Sequence, residues 1–338
     1  MRTEANLDQW KELYQAATEI KEQKPWEFLW DLDLIGIRNG AEEDTVFFSI
    51  LGRGGECYGI SVYEGYEGLN DFLMLSMQEA LNLTPEYAMS QQKNLTCYWG
   101  NREELTEKQR KVIKDLGYKY RGRNQWLYFL SFKPGYRPWQ MDREEVIRMT
   151  EHLRDLKLAL EYYKQADVSV DFENGNMFCF EFGEGKKTWN FGEKPLPFTM
   201  FRFKKLILTD EILLEDLAEA EKCDAVLEAD VWGTGVTIKD KKYERPANPL
   251  LCVIAEAESG MIITCELQEP DDDAGVSIAD EIIAFIFEYG APKEIRVSNV
   301  ILEAGLEHIC DVCGIKLRRM KRLRALEEFQ KEMQRQIF

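Results

Sequence analysis

Hydrophobic positions at the start of the chain recur at helical spacing. Leu7, Trp10, Leu13, Tyr14 and Ala17 share one face, and the pattern stops at Lys24-Pro25, where the residue before proline is kept out of the helical region. A helix over 6–23 is expected. The pattern then shifts toward period two in WEFLWDLDLIGIRN. DTVFFSIL and CYGISVYEG, flanking the glycine-rich GRGGE, read as a β-hairpin. Helices near 68–81 and 103–116 follow, then an aromatic strand in WLYFLSF that ends at two prolines. The longest helix is expected over 142–165: Asp142 is its N-cap, and Val146, Met149, Leu153, Leu156, Leu160 and Tyr163 form one stripe. VSVDFENGNMFCFEF reads as a hairpin turning at Asn174-Gly175, since that dipeptide supplies the positive φ values a tight turn needs.

The polar stretch GEKPLPF, 192–198, carries two prolines and reads as a linker. The chain is therefore expected to divide into an aromatic-rich α+β domain over 1–195, holding seven of the eight tryptophans, and a second domain over 196–338. A length of 338 residues fits two domains at about 150 residues each. In the second domain FRFKKLIL reads as a strand and Asp210 as the cap of a helix to about 221. AVLEADVWG follows as a strand, and LLCVIAEA and MIITCELQ pair across Glu258-Ser259-Gly260. Next come a helix over 277–289 capped by Ser277, the strand EIRVS, a helix over 300–313 ended by Gly314, the short strand KLRRM and a final helix over 323–336.

From Ala225 onward the order is three strands, helix, strand, helix, strand, helix. The segments VLEADVWGTG, PANPLLCVIAEAESGMIITCELQE and GAPKEIRVSNVILEAGLEHICDVCGIKL resemble the catalytic core of the retroviral-type integrase and transposase branch of RNase H-like proteins, over about the last third of the chain. The resemblance implies a βββαβαβα domain with a mixed sheet, so the expected fold class is α/β and α+β. It also implies carboxylates holding two divalent cations, which activate the attacking oxygen and stabilise the leaving one. Asp230 matches the first acid of that set. Ser298 occupies the place of the second, and a hydroxyl does not supply a carboxylate's charge at a hard-cation site. A third acid on the final helix would be Glu327, Glu328 or Glu332. The chain as a whole also resembles uncharacterised bacterial proteins of unknown function, which adds no chemistry.

Charge and cysteine content narrow the function classes. The formal charge of −18 is spread as −8 over 1–196 and −10 over 197–338, opposite in sign to a duplex-coating protein. The one strong basic run is Lys316, Arg318, Arg319, Lys321, Arg322 and Arg324, a candidate nucleic-acid contact or a solvated, acid-paired face. Eight scattered cysteines read as buried free thiols. His308, Cys310 and Cys313 do not make a zinc site, because on a helix at about 100° per residue the first two point apart. GRGGECYG precedes a strand and so lacks the helix N-terminus of a phosphate loop. Asp271-Asp272-Asp273 reads as an acidic loop, and the aromatic strips as core rather than base-stacking platforms. No stretch approaches the about 18 apolar residues of a membrane span, nor is there a secretory signal, so a cytoplasmic address is expected.

The leading functional expectation is a non-catalytic binding or interaction module for a protein or small ligand, acting through the first domain or the inter-domain cleft, without cofactor, metal or membrane. One alternative is a metal-dependent nuclease or phosphoryl-transfer enzyme on Asp230 and Glu328, which alone would need Mg²⁺ or Mn²⁺. The other is nucleic-acid binding through 316–324.

Overall fold

The computed structural model describes the whole chain except Met1, Asp167, 199–204 and Phe338, and the side chains of Glu184, Gln334, Gln336 and Ile337. In chain order the elements are α1 (Leu7–Gln23), β1 (Ile35–Arg38), β2 (Val46–Leu51), β3 (Gly59–Glu64), α2 (Gly65–Ser76), α3 (Pro85–Ser90), β4 (Asn94–Gly100), α4 (Glu107–Asp115), β5 (Trp126–Phe132), α5 (Arg143–Gln165), β6 (Asn176–Phe182) and β7 (Trp189–Pro195). They continue with α6 (Glu211–Glu219), β8 (Val226–Gly233), β9 (Leu250–Glu256), β10 (Ile262–Leu267), α7 (Ala274–Tyr289), β11 (Glu294–Val297), α8 (Val300–Cys313), β12 (Lys316–Arg319) and α9 (Arg324–Ile337). The fold is mixed α and β with two mixed sheets. No helix among the described residues is long and apolar enough to cross a membrane.

The chain forms two compact units. The first comprises Met1–Ser76, Gln92–Lys133 and Pro138–Met200; the second Met77–Gln91, Pro134–Arg137 and Phe201–Phe338. A contiguous division at 195/196 does not provide for the two internal segments, 77–91 and 134–137. Long-range backbone bonds tie them into the second unit: Gly135 N–H donates to Ser90 C=O, Arg137 N–H to Pro246 C=O, and Asn248 N–H to Gly135 C=O.

The first unit is a seven-stranded sheet in the order β5-β4-β3-β2-β1-β6-β7, antiparallel except where β1 meets β6. Period-two alternation sends successive side chains to opposite faces. On one face Phe48, Ile50, Val62, Phe178 and Phe180 pack with Leu13, Tyr14 and Ile20 of α1 and Met149, Leu153 and Leu156 of α5. On the other, Phe47, Tyr63, Met177 and Cys179 pack with Leu69 and Phe72 of α2. Both long helices carry capping boxes, Asn6 with Gln9 and Asp142 with Glu145, so the sequence-read N-termini hold at α1 and α5.

Four sequence expectations in this unit are corrected. The strand before Asn174-Gly175 is absent: 172–174 is a 3₁₀ turn and Gly175 its left-handed cap at φ 78°. β6 instead satisfies its ladder with β1 in parallel and β7 antiparallel, so a local turn signal lost to a long-range pairing. Residues 192–195 of the stretch read as a linker form the end of edge strand β7, where a proline's missing donor is tolerated at its last residue, Pro195. The helix read near 68–81 ends at Ser76, and Cys57 in the β2–β3 loop is exposed rather than buried.

The second unit is a five-stranded sheet in the order β10-β9-β8-β11-β12. β8, β9 and β10 form an antiparallel meander, and β11 and β12 run parallel to β8. The strand expected over FRFKKLIL lies partly outside the described residues, and 205–208 carry no regular structure. The cap of α7 is Asp273, not Ser277. Its Oδ1 accepts from Gly275 N and Val276 N at 3.0 and 3.2 Å, so part of the expected acidic loop starts the helix three residues early. Cys265 is exposed.

Candidate functional site

Alternation along β8 puts Leu227, Ala229 and Val231 on one face and Glu228, Asp230 and Trp232 on the other. Leu227 and Ala229 are fully buried, which pins the register, and the three polar-tipped residues consequently face α9. Glu228, only 3% exposed, accepts the backbone N–H groups of Arg324, Ala325 and Leu326 at 3.2, 2.9 and 3.3 Å. Its carboxylate thus satisfies the orphan donors of the α9 first turn, where negative charge is favoured.

Asp230 lies two residues further along. Parallel pairing of β11 with β8 aligns Val297 with Ala229, so the next residue, Ser298, arrives level with Asp230. The Ser298 hydroxyl donates to Asp230 Oδ1 at 2.6 Å. That oxygen also accepts from Val231 N at 2.9 Å, and Oδ2 accepts from Trp232 Nε1 at 3.1 Å. Asn299 Nδ2 donates to Ser298 Oγ at 3.0 Å, while its Oδ1 caps α8 by accepting from Ile301 N and Leu302 N. The result is a directional chain, Asn299 to Ser298 to Asp230, anchored to a helix cap at one end and a strand at the other.

These groups line a cavity of about 240 Å³ whose walls also include Asn82, Thr84, Tyr87, Lys321, Arg322, Glu327 and Gln330. All of its lining belongs to the second unit. The segment 77–91 closes one side: Asn82 Nδ2 donates to the Ser298 carbonyl at 2.5 Å, and Leu83, Tyr87 and Ala88 are buried. Glu327 is held by Arg322 through two bonds, Nε at 2.9 Å and an Nη at 2.5 Å. This pairing pulls its carboxyl below the ordinary range.

Burial drives the Asp230 carboxyl above its ordinary value, against the opposing effect of the Ser298, Val231 and Trp232 hydrogen bonds. A carboxyl raised in the folded state contributes stability that is complete below its unfolded value and is lost as pH rises through the folded one. Relative to Asp230→Asn, the native chain is therefore expected to lose stability as pH rises from the ordinary aspartate value near 3.8. Urea midpoints of both proteins between pH 4 and 8 check this, and parallel midpoint curves would refute it. The difference between the two also removes the contribution of Asp71 in α2, which burial pushes to about 7.

A pair of divalent cations does not fit this donor set. Both Asp230 oxygens already accept protein donors, Ser298 offers a neutral hydroxyl, and Glu327 is neutralised by Arg322. Among the described residues no group of three or more His, Cys, Asp or Glu side chains is placed to hold a metal ion. Of the final-helix acids, Glu327 lines the cavity; Glu328 is exposed and does not. Asp230 and Glu328 are thus not brought together.

The basic run is divided among different neighbours. Lys316 and Arg318 reach Glu294 at 3.6 and 3.5 Å, where Arg296 also binds at 2.7 Å. Arg319 pairs with Glu303 at 3.4 Å. Lys321 and Arg322 turn to the cavity, and Arg324 starts α9. His308 Nδ1 accepts from Leu208 N, while Cys310 is buried with its thiol pushed up to about 12.

Sequence reading missed the capping role of Glu228 and the whole wall from Asn82 to Tyr87. The first had a signal, a second acid two positions from Asp230 on the same strand face. The second had none, because 77–91 stands in sequence among elements of the other unit.

Residues 10–179 match a family described as Domain of unknown function (DUF7309), and residues 213–334 one described as Domain of unknown function (DUF6930). No curated protein matches the chain. Among solved structures it shows weak similarity to retroviral integrase chains. One is in a simian T-cell lymphotropic virus intasome in complex with PP2A regulatory subunit B56 gamma, with 16% identity over 29% of this chain and 34% of that chain and a TM-score of 0.22. Another is the HTLV-2 integrase catalytic core domain in complex with magnesium, in its trimeric form, with 16% identity over 33% of this chain and 68% of that chain and a TM-score of 0.24. Against the first of these, the chain spans about a third of the neighbour's length.

Proposed function

The chain belongs to the family described as Domain of unknown function (DUF7309), and from that premise we propose that its second unit is an RNase H-like domain converted from two-metal chemistry to the binding of a small polar ligand. The RNase H-like reading is supported by the strand order, an antiparallel meander continued by two parallel strands through α7 and α8. The observation that carries the conversion is the Ser298 hydroxyl donating to Asp230 at 2.6 Å, at the position where a second carboxylate would stand beside the first. The pocket is lined by amides, hydroxyls, one indole and paired charges, the mixture of apolar wall and few convergent polar groups that orients a small ligand.

Polymer binding is disfavoured by the same geometry. The segment 77–91 covers one side of the cavity, and four of the six basic residues of 316–324 are paired with carboxylates.

The test is a thermal-shift titration with Mn²⁺ and Mg²⁺, since a ligand that binds only the folded chain raises its melting temperature. The native chain and Asp230→Asn should respond alike, whereas Ser298→Asp, which restores the second acid, should gain a metal-dependent rise. A rise in the native chain that disappears in Asp230→Asn would overturn the conversion.

A further inference from the structure

We propose that Ser298 is a nucleophile activated by Asp230, and that the cavity turns over small carboxylic esters without a metal. This goes beyond the reading above, since holding a ligand requires no nucleophile.

Ser298 stands at the carboxyl end of a parallel strand, where the chain turns from β11 into α8. Ser298 is half-buried and is among the residues that line the cavity. Its proton already points at a base: Oγ donates to Asp230 Oδ1 at 2.6 Å. Its lone pairs are directed by the Asn299 amide, which donates to Oγ at 3.0 Å. Asn299 is itself fixed as the α8 cap and is 6% exposed, so the hydroxyl has one defined orientation. A nucleophile in hydrogen-bond contact with a base that a third group orients is the arrangement that covalent catalysis needs. Val231 N–H and Trp232 Nε1 hold Asp230 in turn, and the burial of Asp230 makes it a stronger base than an exposed carboxylate. Lys321, which is exposed, supplies positive charge on the same cavity wall.

In the first half-reaction Oγ bonds to the ester carbonyl carbon as its proton passes to Asp230 Oδ1, and the carbonyl π pair moves onto oxygen. Collapse of that oxyanion breaks the bond to the alkoxy group, which leaves as the alcohol after taking the proton from Asp230. Water then attacks the acyl-serine and gives a proton to Asp230. The tetrahedral species expels Ser298 Oγ, which regains that proton, and the acid is released. The sum is ester plus water giving acid plus alcohol. The cavity of about 240 Å³ limits the substrate to a short acyl or alkyl ester.

A phosphonyl fluoride probe tests the nucleophile on the full chain, because Oγ–P bond formation expels fluoride and leaves a stable adduct that peptide mapping locates. A single adduct on Ser298 is expected, absent in Ser298→Ala. Its rate should rise with pH as Asp230 ionises and fall at least about 100-fold in Asp230→Asn, the scale of a positioned general base. Other titrating and charged groups around Asp230 are Tyr87, Lys321, Arg322 and Glu327 of the cavity and Cys252 on β9. The pH profile is therefore compared between the native chain and Asp230→Asn. Release of p-nitrophenol from p-nitrophenyl acetate should follow the same pattern. No adduct on Ser298, or one formed equally fast in Asp230→Asn with its circular dichroism unchanged, overturns the proposal. Mapping the native chain needs no variant, so a misfolded mutant cannot mask the answer. Failure here also leaves the metal titration untouched, and the two readings fall separately.

Discussion

Replacing Glu228 with alanine is expected to destabilise the second unit by about 3 kcal/mol, from loss of a charged helix cap and exposure of buried donors without partners. One carboxylate serves three backbone N–H groups at the start of α9, and two of the three residues donating, Ala325 and Leu326, are buried, so water does not readily replace it. The α9 side chains Leu326, Phe329 and Met333 pack with Leu251 and Val253 of β9. Loosening the first turn therefore loosens the wall that carries Glu327. Glu228→Gln retains one acceptor oxygen without the charge and should fall about midway. Urea unfolding combined with amide exchange in α9 reads both effects. An alanine variant within about 0.5 kcal/mol of the native chain, the range of an ordinary surface change, would show that the cap is energetically idle.

Gly135→Ala is expected to cost a similar amount, about 3 kcal/mol, by two additive routes. Gly135 sits at φ 74°, a left-handed conformation that costs a side-chain-bearing residue about 1 kcal/mol or more. A Cβ there would also lie 2.7 Å from the Pro270 carbonyl carbon and 2.8 Å from its Cα, and a rigid proline backbone yields only by displacement, at about 1–3 kcal/mol. Gly235→Ala separates the routes, because Gly235 has φ 67° with nothing within 4 Å of the added carbon. It should show the backbone cost alone. Equal destabilisation of the two variants would mean that the Gly135–Pro270 approach carries no strain. Gly135 also holds Ser90 and Asn248 by backbone bonds, so its substitution should raise proteolytic cleavage within 77–91.

Wherever an element's own residues supply its reason to form, it was legible in the sequence. The stripes of α1 and α5 and the cap of α5 at Asp142, the β2–β3 and β9–β10 hairpins, and Gly314 closing α8 in the left-handed region all follow from spacing and local chemistry. The βββαβαβα order was legible too, and the approach of Ser298 to Asp230 was implied by the resemblance to the integrase and transposase branch. Local signals failed where a distant partner offered more. Asn174-Gly175 made its turn, but β6 paired with β1 rather than with the preceding segment, and the proline-bearing stretch ending in Pro195 joined a sheet edge.

The identity of the site was divided in the same way. Sequence alone determined that Ser298 and Asn299 follow the strand EIRV and that 316–324 is basic. Only the tertiary structure decided that Glu327 rather than Glu328 meets the cavity and that Glu228 serves a helix. It likewise decided that Asn82 and Tyr87, more than 140 residues before Asp230 in the chain, wall the pocket. Spacing along one element sets which way a side chain points. Which partner it meets depends on chain closure over long separations, and that is settled by the burial and hydrogen bonding of the whole fold rather than by any short stretch of residues.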